Sequence, residues 1–154
     1  MQSIIQKAKK HLNVALEHKP KHIPSVLLLS DILFEEQKYD QVQTLIDRIK
    51  DDAGGMAEIN YLQSKLFFIK RNYAEAFEFI NKAISKKPNH IQSYRLGADI
   101  CIKANDQFHE IRYLEKIIDL EPLNGGAHIR LSKLITDPTD CERKKLLLEI
   151  SVDL

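Results

Sequence analysis

Apolar residues recur at spacings of three and four along most of the chain, as in Leu29, Leu33, Val42, Ile46 and Ile49. This is the period of a helix with one face turned inward. The pattern predicts helices over about 24–36, 40–51, 58–70, 74–86, 91–104 and 107–120, joined by short turns. Near the amino terminus Ile5, Ala8, Leu12, Ala15 and Leu16 give another helix an apolar face. That terminus is basic and has no acidic residue before Glu17, a pattern shared with mitochondrial transit peptides. The amphipathic helix is the preferred reading, because the same face recurs downstream. Beyond residue 124, His128, Leu131 and Ser132 stay in register and Asp137-Pro138 breaks the chain. Thr139 with Glu142 then has the form of a capping box opening a last helix.

The breaks between helices are themselves periodic. Pro88 and Pro122 stand 34 residues apart, Pro20 lies two such steps before Pro88, and Gly54 fills the empty slot. Proline and glycine both stop helices, so one task recurs at 20, 54, 88 and 122. Laid out at this period the chain gives units 23–56, 57–90 and 91–124, each a helix, a turn and a helix. Residues 1–22 form a half unit or capping helix, and residues 125–154 a degraded carboxy-terminal unit. A period of this length indicates stacked repeats. The segments 72–90 and 106–124 share only Lys82 with Lys116, Ile84 with Ile118 and Pro88 with Pro122. Stacking constrains the size and polarity of each slot and leaves identity free.

In the unit 57–90, Ser64 holds a small first-helix slot, Phe67 an aromatic one, Ala76 and Ala83 small second-helix slots, and Tyr73 and Pro88 the helix opening and close. This arrangement resembles the tetratricopeptide repeat (TPR). The resemblance implies an all-α fold, a right-handed α-α superhelical solenoid spanning 1–154 as a single domain. Two departures stand out. Val26, Asn60, Tyr94 and His128 occupy the column of the family's tryptophan, and Glu110 stands where alanine is normal. The apolar stripe Ile111, Leu114, Ile117 and Ile118 predicts that the helix carrying Glu110 is rotated or starts late, turning the acid outward.

Composition excludes several functions. A formal charge of +1 gives no field to recruit nucleic acid or an anionic membrane, and no apolar run is long enough to span a bilayer. Cys101 and Cys141 make no metal-type pair and no disulfide framework, which suits a reducing, cytoplasmic setting. His18 and His22 are separated by Pro20 and so share no helical face for a metal. Gly54 with Gly55 and Gly125 with Gly126 fall at unit boundaries and read as helix stops instead of phosphate cradles. Cys101 falls in a core slot. No catalytic motif, cofactor site or metal site is present in the sequence pattern, and the chain reads as non-catalytic.

The resemblance implies a concave groove lined by first helices. Its central column would be Asp31, Lys65, Asp99 and Lys133, whose alternating charges are expected to neutralise one another as a rail. Beside it would stand Leu27, Tyr61, Arg95 and Ile129, then Phe34, Phe68, Ile102 and Thr136, making an apolar trough. Leu27, Asp31, Leu62, Gln92 and Leu96 occupy the positions where chaperone-tail-binding members of the family carry a lysine, arginine and asparagine clamp. An apolar peptide or amphipathic helix is therefore the expected ligand of a scaffold or adaptor module. Two alternatives are a platform within a larger enzyme or assembly factor, and helical-repeat RNA binding, which the missing basic groove disfavours. The half unit at the front and Leu146, Leu147, Leu148, Ile150, Val152 and Leu154 at the back predict a homo-oligomer through the chain ends, or covered ends.

Overall fold

The computed structural model describes residues 2–53 and 55–135. They form α1 (Gln2–His18), α2 (Ile23–Glu35), α3 (Tyr39–Ala53), α4 (Ala57–Ile69), α5 (Tyr73–Lys86), α6 (Ile91–Ala104), α7 (Gln107–Leu120) and α8 (Gly125–Leu134), with no strand among the described residues. The even-numbered helices from α2 to α8 begin at 23, 57, 91 and 125, and α3, α5 and α7 at 39, 73 and 107, so each series advances by 34 residues. Each helix packs on the next, and α2 also meets α4 as α4 meets α6. The chain is thus an α-solenoid.

Two kinds of turn reset the chain direction. Within a pair, the connecting residue is left-handed: Gln37 (φ 59°), Arg71 (φ 60°) and Asn105 (φ 55°). The following amide reaches back to the last turn of the first helix, with Lys38 N–H donating to Leu33 O, Asn72 to Phe67 O and Asp106 to Cys101 O, all at 2.9 Å. These bonds satisfy carbonyls that a helix end leaves open. No glycine marks the sites in the sequence. Between pairs, His22 N–H donates to Lys19 O, His90 to Lys87 O and Asn124 to Glu121 O across Pro20, Pro88 and Pro122. Proline's fixed φ suits the second position of such a turn. Gly54 lies outside the described residues. Gly125 and Gly126 are not helix stops as expected, because they open α8, where the Asn124 carboxamide accepts from Ala127 N–H at 3.0 Å. A good N-cap side chain lets the helix start on two glycines.

The small residues do what their slots require. Ser64, Ala76, Ala83 and Ala98 are fully buried, and the Ser64 hydroxyl donates to Ala76 O at 2.7 Å, tying α4 to α5. Around them Ile46, Ile49, Ile59, Ile80, Ile100, Leu114 and Leu131 fill the interior. Polar residues in the tryptophan column are buried and anchored to the backbone just upstream of their helix. Asn60 donates to Met56 O at 2.7 Å, Tyr94 to Pro88 O at 2.8 Å, and His128 Nε2 lies 2.7 Å from Pro122 O. A carbonyl only accepts, so His128 carries its proton on Nε2. Tyr94→Phe keeps the ring and orphans a turn carbonyl, and urea denaturation should register a loss of about 1 kcal/mol. An unchanged midpoint would show that water takes over the bond.

Glu110 corrects the expectation of a rotated helix. α7 begins one repeat after α5, with Asp106 accepting from His109 N–H at 3.1 Å as its cap, so Glu110 occupies the slot of Ala76. It is buried, at 8% exposure, and accepts from Arg130 Nη2 at 3.1 Å. The same guanidinium donates through Nη1 to Asp99 at 3.2 Å. An arginine from the next helix supplies what rotation was expected to supply.

At the front, Leu16 of α1 joins the core and Lys9 donates to Glu36 at 2.5 Å, while Ile4 and Ile5 remain exposed. Leu146, Leu147, Leu148, Ile150, Val152 and Leu154, on which the expected association through the carboxy-terminal end rests, lie outside the described residues, as do Thr136, Thr139 and Glu142.

Candidate protein-interaction groove

Three neighbouring hollows lie along α2, α4, α6 and α8, the third also reaching Leu114 and Ile117 of α7, and each shares lining residues with the next; together they form a candidate groove. The first, about 340 Å³, is lined by Leu27, Asp31, Glu58, Tyr61, Leu62, His90 and Gln92. The second, about 430 Å³, shares Tyr61 and Gln92 and adds Lys65, Phe68, Ile69, Arg95, Leu96 and Asp99. The third, about 280 Å³, shares Arg95 and Asp99 and ends at Asn124, Gly126 and Arg130.

Seven of the residues expected in the groove line it: Leu27, Asp31, Tyr61, Lys65, Phe68, Arg95 and Asp99. Phe34 does not. It is 6% exposed within the core, and the Lys65 ammonium lies over its ring at 4.2 Å, so it forms a floor under that lysine. Ile102, Ile129 and Lys133 are exposed on their helices but line none of the three hollows. The rail is also built differently from the expectation, since Asp99 pairs with Arg130 and not with a lysine of its column. Arg95 is engaged by Glu121 at 2.5 Å and Glu58 by Lys87 at 2.9 Å. The groove is a mixed surface, apolar at Leu27, Leu62, Phe68 and Leu96 and charged between them, instead of an apolar trough. Glu58, His90 and Arg130 escaped the sequence reading because it followed the middle of each first helix, whereas these residues reach in from a helix start, an inter-pair turn and the neighbouring column.

Burial shapes the electrostatics of the first two hollows. Desolvation raises the Asp31 carboxyl above its ordinary value, with Lys65 opposing and Glu35 adding to the rise. Tyr61 stands between two carboxylates: burial, then Asp31 and Asp99, push its phenol up. Burial and then Lys87 lower His90, with Glu58 opposing, so the ring is mainly neutral at neutral pH. His90 meets Tyr61 edge-on at 5.4 Å between ring centres and shares a hydrogen bond with Ser93 Oγ at 2.7 Å.

Among the described residues, the one hydroxyl–imidazole pair at the groove, Ser93 with His90, is not presented to a ligand, because Ser93 is fully buried. Away from the groove, burial, then Asp106 and Glu110, push the Cys101 thiol up to about 12. It is therefore a protonated core thiol at neutral pH. Among the described residues no group of three histidine, cysteine or acidic side chains is placed to hold a metal ion, and no helix is long and apolar enough to cross a membrane.

No protein-family model matches the chain, and a comparison with curated proteins returns no significant sequence match. Solved structures do match in shape. MamA superposes with a TM-score of 0.78 at 12% identity, over 99% of this chain and 89% of that one. PilF of Pseudomonas aeruginosa gives a TM-score of 0.83 at 13% identity, over 99% of this chain and 69% of that one. YrrB, described as a TPR protein with an unusual peptide-binding site, gives 0.78 at 12% identity, over 92% of this chain and 73% of that one. The fold is therefore the TPR solenoid, the class that the 34-residue register and the slot pattern had implied.

Proposed function

We propose that the protein is a non-catalytic interaction module, a scaffold or adaptor, that binds a peptide or amphipathic helix of a partner protein along the α2–α4–α6–α8 groove. The observation that carries this reading is the row of three neighbouring hollows, in which half-buried Tyr61 and Phe68 stand among charges that, Asp31 apart, are already engaged within the chain. Aromatic side chains give large contact area for little lost freedom, so they supply affinity while the fixed charges around them exclude mismatched partners. The peptide-binding site for which YrrB is described favours the same use of the same architecture. A cytoplasmic setting, where thiols such as Cys101 stay reduced, fits this role.

Placing a photo-crosslinking residue at Gln92, and in a control at the exposed Lys82 of α5, tests the assignment. Adducts formed only from position 92 would identify the partner and the segment bound. Against that segment as a synthetic peptide, Phe68→Ala should weaken binding about tenfold and Lys65→Ala less, because Phe68 offers a half-buried ring whereas the Lys65 ammonium already lies over Phe34. The reverse order, with adducts equally frequent from position 82, would place the interaction elsewhere.

A further inference from the structure

We infer that the first hollow, between α2, α4 and the start of α6, seats a cationic side chain, lysine or arginine, of the peptide bound in the groove. The inference rests on the groove assignment and adds the charge and place of one ligand residue. Its argument is the composition of the lining. Asp31 and Glu58 bring two carboxylates, and no lysine or arginine lines the hollow with them. His90, the remaining basic group, is held mainly neutral by burial and by Lys87, with Glu58 opposing. A pair of surface acids alone would only be solvated. Here they share the hollow with Leu27 and Leu62, which suit the methylenes of a long side chain, and with the ring of Tyr61, which suits a cation.

The existing charges leave one of these acids available. Glu58 is engaged by Lys87, which does not line the hollow. Asp31 forms no ion pair or side-chain hydrogen bond among the described residues, and the Lys65 ammonium that acts on it electrostatically sits over Phe34. A carboxylate partly removed from water and lacking a close partner gains most from an incoming cation. The polarity of the groove gives the same direction. Beyond Tyr61 the lining changes to Lys65, Arg95 and Arg130 against a single acid, Asp99, so a ligand cation is favoured at the α2 end and opposed further along.

A random dodecapeptide library displayed on phage and selected on the full chain provides the test. Clones that lose binding on Phe68→Ala are the groove-directed ones. These should be enriched in lysine or arginine at a fixed offset from an apolar residue. As synthetic peptides they should bind Asp31→Asn about tenfold more weakly. Changing the peptide's cation to glutamine should cost as much on the wild-type chain and almost nothing further on Asp31→Asn, whose circular dichroism should be that of the parent. Groove-directed clones without an enriched cation, or with a cation indifferent to Asp31→Asn, would overturn the seat and leave the groove intact. Failure to recover any Phe68-dependent clone would instead remove the groove assignment, and the seat with it.

Discussion

Arg130→Ala should lower the unfolding free energy by about 2–3 kcal/mol, more than truncation of any surface arginine would. The cause is what remains behind. Glu110 is only 8% exposed, and Arg130 Nη2, at 3.1 Å, is its side-chain partner, so the deletion strands a carboxylate against α6 and α8. The guanidinium also donates to Asp99, so among the described residues it is the one side chain that ties α8 to both α6 and α7 by ion pairs. Its own side chain is 34% exposed, which is why the effect is placed at or below the lower end of the range for fully buried pairs. Glu110→Ala should cost much less, since it restores the residue that the preceding repeat carries as Ala76, and Arg130 keeps Asp99. The double variant should therefore be more stable than Arg130→Ala alone. Urea denaturation of the four proteins, followed by helix circular dichroism, gives the cycle, and simple additivity would show that the buried acid is indifferent to its arginine.

Gly97→Ala should destabilise by about 2 kcal/mol, against the usual gain from replacing a mid-helix glycine. A Cβ at Gly97 would stand 2.9 Å from Tyr113 Cε2 and 3.1 Å from Cδ2 and Cζ. The ring has little room to retreat. It is 7% exposed, packs against Tyr94 and Phe77 with centroids at 6.1 and 6.3 Å, and its hydroxyl donates to Asn81 Oδ1 at 2.8 Å. Gly126→Ala is the control, because the nearest atom there is Asn124 Oδ1 at 3.5 Å, and it should be neutral or slightly stabilising. In a Tyr113→Leu background the penalty of Gly97→Ala should shrink or change sign. If Gly97→Ala raised the denaturation midpoint in the parent, the contact would not govern this position.

Part of the lining of the candidate groove could be aligned from the sequence, because first-helix positions recur every 34 residues and bring Leu27, Tyr61 and Arg95, or Asp31, Lys65 and Asp99, into register. What the columns could not give is the reach of side chains between them. Lys65 folds over Phe34, Arg130 crosses to Asp99 and Glu110, and Glu58 and His90 enter from helix starts and turns. A column treats residues of equal register as neighbours, whereas long charged side chains choose partners by distance in space.

By itself the sequence determined the helical period, the repeat length and the slots that had to be small, because each of these follows from local periodicity and from the close approach of paired helices. The prolines at 20, 88 and 122 marked the inter-pair turns for the same local reason. Only the tertiary structure decided that the intra-pair turns use left-handed Gln37, Arg71 and Asn105, where the backbone bond closing the turn outweighs the residue's own preference. Only it decided that Gly125 and Gly126 open a helix, and that Glu110 stays inward because an arginine one helix further on meets its charge. A buried polar group is tolerable or not according to its partners, and those partners lie far away in the chain.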